Sequence, residues 1–66
     1  MKPLRENTMI AIAARLAVFA SNLGLTVDVT TDGRGGYVTT GTGDCAGILL
    51  GKSERAARAT LCRLVA

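Results

Sequence analysis

The sequence predicts an α+β fold: a small antiparallel sheet, made of a hairpin and a third strand, with an N-terminal and a C-terminal helix packed on one face. Three observations predict it. Met9, Ile12, Leu16, Phe19, Ala20 and Leu23 recur at helical spacing. Residues 25–40 alternate apolar and polar types about a glycine-rich turn. Ser53 then opens a run in which Ala57, Leu61 and Leu64 fall on one helical arc, with Thr60 and Val65 at its margins.

The first helix is expected from about Leu4 to Leu23, with Pro3 suited to a first-turn position and Gly24 a left-handed stop. Its apolar stripe is the core face. The opposite side is unusual: Ile10, Ala11, Ala14, Val18 and Ser21 cover it, and Arg15 is the one charge between Asn7 and Asn22. A solvated helix face normally carries more charge. Ile10, Ala14 and Val18 are therefore candidates for self-association as a homodimer, or for a second partner contact; scattered exposed alanine and valine is the plainer alternative.

Leu25 to Thr31 reads as a half-buried strand, Asp32-Gly33-Arg34-Gly35-Gly36 as a turn, and Tyr37-Val38-Thr39-Thr40 as the returning strand. The solvent face of the sheet is expected to carry Thr26, Asp28, Thr30 and the threonines of the second strand. Gly41 to Asp44 breaks the hairpin. Cys45-Ala46-Gly47-Ile48-Leu49-Leu50 is the candidate third strand, short and ambiguous in type. Ser53 is the expected N-cap of the last helix, and Glu54 places a negative charge in its first turn, where the helix dipole favours one.

A chain of 66 residues makes one small domain. A domain of this size buries about 60% of its unfolded surface, and its core supplies only ~3–5 kcal/mol. With 48% apolar and 20% charged residues the chain is globular rather than disordered. Lys2 and Arg5 ahead of the stretch from Met9 to Leu23 imitate a signal peptide. Arg15 interrupts that run, however, Glu6 lies in the basic region, and cleavage near Ala20 leaves too little chain for a core. A soluble, cytoplasmic protein with no membrane partner is expected. Cys45 and Cys62 are read as reduced, half-buried thiols. The alternative is a bridge closing a loop of about 18 residues, worth roughly 3 kcal/mol.

The residue types exclude most chemistry. There is no His, so Cys45, Cys62, Ser21 and Ser53 lack an imidazole partner, and no carboxylate pair stands out. Two cysteines with the scattered Asp28, Asp32 and Asp44 do not make a tetrahedral metal set. Ala46-Gly47-Ile48-Leu49-Leu50-Gly51-Lys52-Ser53 fits a loose phosphate-loop pattern. Yet its interior, Ile48-Leu49-Leu50, prefers a core, and no strand-borne acid follows to help hold magnesium. Gly51-Lys52 is read as a turn, with a weak anion site at the following helix start as a lesser idea. No enzyme activity, cofactor or metal is expected.

Lys52, Arg55, Arg58 and Arg63 fan over the side of the last helix away from its core arc, with Cys62 among them. Such a face contacts phosphates or an acidic protein, or is simply solvated. An exposed Cys62 between these arginines is expected to be reactive, whereas a rotated helix buries it. Gly51-Lys52-Ser53-Glu54-Arg55-Ala56-Ala57-Arg58-Ala59 resembles the start of the last helix in double-stranded RNA-binding domains, whose helix–three strands–helix order is similar too. In that family basic residues at this helix start grip phosphates, which the resemblance places at Lys52, Arg55 and Arg58. Glu54 within the cluster and the short strands depart from the family pattern.

A short chain from Met1 with a compact fold and no catalytic set is also similar in kind to phage-encoded inhibitors of the anti-CRISPR type. That resemblance implies stoichiometric occlusion of a nucleic-acid-handling complex and carries over no residue. The expectation is a non-enzymatic binding protein acting on a larger protein or nucleoprotein complex. Its contact would use Lys52, Arg55, Arg58 and Arg63, joined by Arg34 of the turn. The alternative is a small nucleic-acid-binding module.

Overall fold

The computed structural model describes residues 6–41 and 46–66. Its elements are α1 (Glu6–Asn22), β1 (Asp28–Thr31), β2 (Tyr37–Thr40), β3 (Leu49–Gly51) and α2 (Glu54–Leu64). The strands form one antiparallel sheet in the order β1-β2-β3, and both helices pack on the same face of it. This is the α+β arrangement that the alternating and helical patterns predict. The start expected at Leu4, the first-turn role of Pro3, and Cys45 lie outside the described residues.

Helix α1 ends where its apolar stripe ends. Gly24 takes φ +91°, and Leu25 N–H returns to the Ala20 carbonyl at 3.0 Å, which closes the last turn as a Schellman motif. Ile12, Leu16 and Ala20 are buried, while Met9, Phe19 and Leu23 pack against them half-exposed. Ala13 is buried as well, which widens the core face beyond the expected stripe.

The hairpin register pairs Val29 with Thr39 and Thr31 with Tyr37. These pairs share the helix side of the sheet, so Thr39 is buried at 1% exposure. The expectation that both threonines of β2 face solvent is thus corrected: Thr40 does, Thr39 does not. Strand alternation forces the split once Tyr37 points inward. The Thr39 hydroxyl is satisfied in the core, where Oγ1 accepts from the Ile48 N–H at 2.9 Å. Thr26, Asp28 and Thr30 are exposed as expected. At the turn, Asp32 Oδ1 accepts from the N–H groups of Arg34 at 2.7 Å and Gly36 at 3.0 Å.

The third strand is shorter and later than the run from Cys45 to Leu50. Ala46 and Gly47 form a turn, with Gly47 N–H bonded to the Thr39 carbonyl at 2.8 Å. Pairing then shifts between Tyr37 and Val38, which meet Gly51 and Leu49 respectively. The extra residue, Leu50, bulges into the core at 2% exposure and leaves Leu49 outside at 61%.

Candidate functional site

Two contacts fix the rotation of α2 and so decide which side chains it displays. Ser53, extended at φ −140° and ψ 158°, accepts from the Ala56 N–H through Oγ at 3.1 Å. This is the N-cap that the sequence predicts. One turn on, the Thr60 hydroxyl lies 2.8 Å from the Leu50 carbonyl of β3 and 3.1 Å from the Ala56 carbonyl. Ala57 and Leu61 are thereby fully buried. The opposite side presents Lys52, Arg55, Arg58, Cys62 and Arg63, all exposed. Cys62 is a free, exposed thiol on this surface, which corrects its half-buried position, and the proposed bridge involves Cys45, outside the described residues.

Arg58 differs from its neighbours. Its guanidinium lies over the Phe19 ring of α1, 4.7 Å from the centroid, so it belongs to the seam between the helices rather than to a freely solvated fan. Beside it, Arg15 Nε and Nη2 donate to the two carboxylate oxygens of Glu54 at 3.0 Å each. Residues 15 and 19 of α1 thus meet residues 54 and 58 of α2 in the same chain direction, and the two helices run parallel. Glu54 stands within the basic cluster, and Arg15 neutralises it. Only the isolation of Arg15 on an uncharged helix face hinted at this. The partner lies 39 positions away, and no local pattern names it.

The Arg15 hydrogen bond holds the Glu54 carboxyl below its ordinary value of 4.5, helped by the charges of Arg15 and Arg58 and opposed by partial burial. The same pair keeps the Arg15 guanidinium further toward its charged form. Asp32 is held below 3.8 by the N–H groups of Arg34 and Gly36. Both carboxylates are more acidic folded than unfolded, so stability is full above these ordinary values and falls as acid protonates them. The urea midpoint is expected to drop on acidification below about pH 4.5, and Glu54→Gln with Asp32→Asn to flatten that drop. An acid limb of the same slope in the double variant would contradict the assignment.

Beneath the pair lies Tyr37, fully buried, whose hydroxyl has no hydrogen-bond partner among the described residues. Burial raises its pKa, and Glu54 raises it further while Arg15 opposes. An orphaned hydroxyl of this kind costs ~1–3 kcal/mol. Tyr37→Phe is therefore expected to hold or raise the melting temperature; a clear loss would reveal a bond to the hydroxyl.

The other candidate residues lie apart. Arg34 stands on the 32–36 turn, a different element from α2. Ile10, Ala14 and Val18 line the outer side of α1, with Ile10 54% and Val18 60% exposed. A cleft of about 230 Å³ lies at the α1–α2 seam, lined by Arg15, Val18, Phe19, Asn22, Glu54 and Arg58 over Leu16. A second, shallower groove of about 450 Å³ runs between Ala17 and Ser21 of α1, residues 25–28, and Gly41. The phosphate-loop pattern is not a cradle, because Leu49–Gly51 is committed to the sheet. Among the described residues, no group of three or more His, Cys, Asp or Glu side chains is placed to hold a metal, and no helix is long and apolar enough to cross a membrane. No protein family, curated protein or solved structure matches the chain.

Proposed function

We propose that the protein is a non-enzymatic binding protein that acts stoichiometrically, using the exposed side of α2 to occupy a surface of a larger protein or nucleoprotein complex. The observation that carries this reading is the row of Lys52, just ahead of the N-cap, with Arg55 and Arg63, exposed on a helix whose opposite face is locked into the core. The one acid of α2, Glu54, is neutralised by a residue of α1. A rigid helix with a single sign of charge steers and registers an acidic partner surface. The most specific form of the reading is an inhibitor of a nucleic-acid-handling complex, anti-CRISPR-like; small size and the basic face support it. The setting proposed is the cytoplasm, in keeping with the free thiol of Cys62.

A duplex nucleic acid is the second reading. What favours it is the Arg15–Glu54 pair, which removes the negative charge from the helix start that resembles double-stranded RNA-binding domains. Gel shifts with duplex RNA and DNA across a salt series separate the two. The first reading expects no shift at physiological salt and a fixed-ratio complex from host extract. A shift whose affinity falls steeply with salt would replace it with the second.

A further inference from the structure

The cleft at the α1–α2 seam contains an unbalanced charge set. It holds two guanidiniums, Arg15 and Arg58, against one carboxylate, Glu54, one positive charge in excess. Arg15 gives its Nε and Nη2 N–H groups to the two oxygens of Glu54. Arg58 is engaged by Phe19, over whose ring its Cζ lies, and by the field of Glu54 one turn before it. No acceptor among the described residues takes its N–H groups. A guanidinium held over an aromatic ring keeps its N–H edge for an acceptor, and a planar carboxylate matches that edge with two parallel hydrogen bonds.

The space next to that edge has an apolar wall. Val18 is 60% exposed there, and Phe19 is half-exposed beside it. The open volume of about 230 Å³ accommodates a carboxylate side chain with part of an apolar neighbour. A nucleic-acid backbone fits less well, since its evenly repeated phosphates match the convex row of Lys52, Arg55 and Arg63 rather than a concave, half-apolar cleft containing Glu54.

We propose that this cleft receives an acidic segment of a partner protein, a Glu or Asp carboxylate bonding the edge of Arg58 while an adjacent apolar side chain lies against Phe19 and Val18. The second carboxylate brings the cleft to neutrality. The inference rests on the reading of the chain as a protein-docking molecule and names the chemistry its partner must offer.

The test uses the full-length chain, labelled for nuclear magnetic resonance, and acetyl-Leu-Glu-Leu-Glu-amide as the probe. Acetyl-Leu-Gln-Leu-Gln-amide and inorganic phosphate form separate arms. Saturable shifts of the Arg58 side-chain N–H and the Phe19 ring are expected with the glutamate peptide alone. Arg58→Lys, which keeps the charge but loses the planar fork, is expected to weaken binding about tenfold, while Thr30→Ser on the far face of the sheet leaves it unchanged. Equal shifts with the glutamine peptide or with phosphate, no shift at millimolar peptide, or full binding by a folded Arg58→Lys chain would each overturn the proposal. A partner captured from host extract despite such a result would leave the docking role standing without this cleft.

Discussion

Leu61→Ala is expected to leave most of the population unfolded. Leu61 is fully buried in the cluster that joins α2 to Leu16, Ala20, Tyr37 and Leu50. Removing a buried leucine side chain down to Cβ costs ~2–5 kcal/mol, and a core of this size supplies only ~3–5 kcal/mol altogether. The two ranges overlap, so the substitution has little reserve to draw on. Circular dichroism and a urea titration read the outcome. Val65→Ala, one turn on but 42% exposed, is the control and is expected to shift stability by no more than about 0.5 kcal/mol. A cooperative Leu61→Ala transition close to that of the parent would mean that the α2 core contact is not what holds the fold.

Gly51→Ala is expected to be the next most damaging change. Gly51 ends β3 with φ +139°, a region that side chains enter at a cost of ~1–3 kcal/mol. A Cβ built there also lies 3.0 Å from the Ala56 Cβ. Ala56 has little freedom to retreat, because its N–H is held by the Ser53 cap. Gly24→Ala separates the two causes: Gly24 has φ +91° and nothing within 4 Å of its Cβ position. Greater destabilisation at Gly51 than at Gly24 is expected from thermal melts. Equal losses would show that backbone strain alone is at work and that the close approach of β3 to α2 is relaxed.

Local chemistry carried most of the fold into the sequence. Ser53, Gly24 and the turn from Asp32 to Gly36 mark element ends by their own capping and turn preferences, so they are readable without the tertiary structure. The third strand is less legible in local sequence. Its start is set by the turn at Ala46 and Gly47 and by a bulge at Leu50, and both depend on pairing with β2. Polarity alone puts Thr39 outside, yet alternation from Tyr37 sends it inward, where its Oγ1 accepts from Ile48 N–H. Of the candidate surface, the exposure of Lys52, Arg55 and Arg63 follows from the helical wheel. The seam does not. Arg15 with Glu54, and Phe19 with Arg58, meet only because α1 and α2 pack in parallel, a relation that no spacing within either helix encodes.

The departure of Arg58 from the solvated fan also changes which substitutions isolate the proposed contact. Reversing Arg58 mixes partner binding with helix packing. Lys52 and Arg55 are exposed and make no such contact, and a glutamate in the first turn of α2 suits the helix dipole. The most direct measurement is therefore affinity capture from host extract with the parent chain and the Lys52→Glu, Arg55→Glu chain side by side, after matching their melts. A species held at fixed ratio by the parent and lost by the charge-reversed chain is the predicted result. Retention of that species by both chains would contradict docking through the basic side of α2.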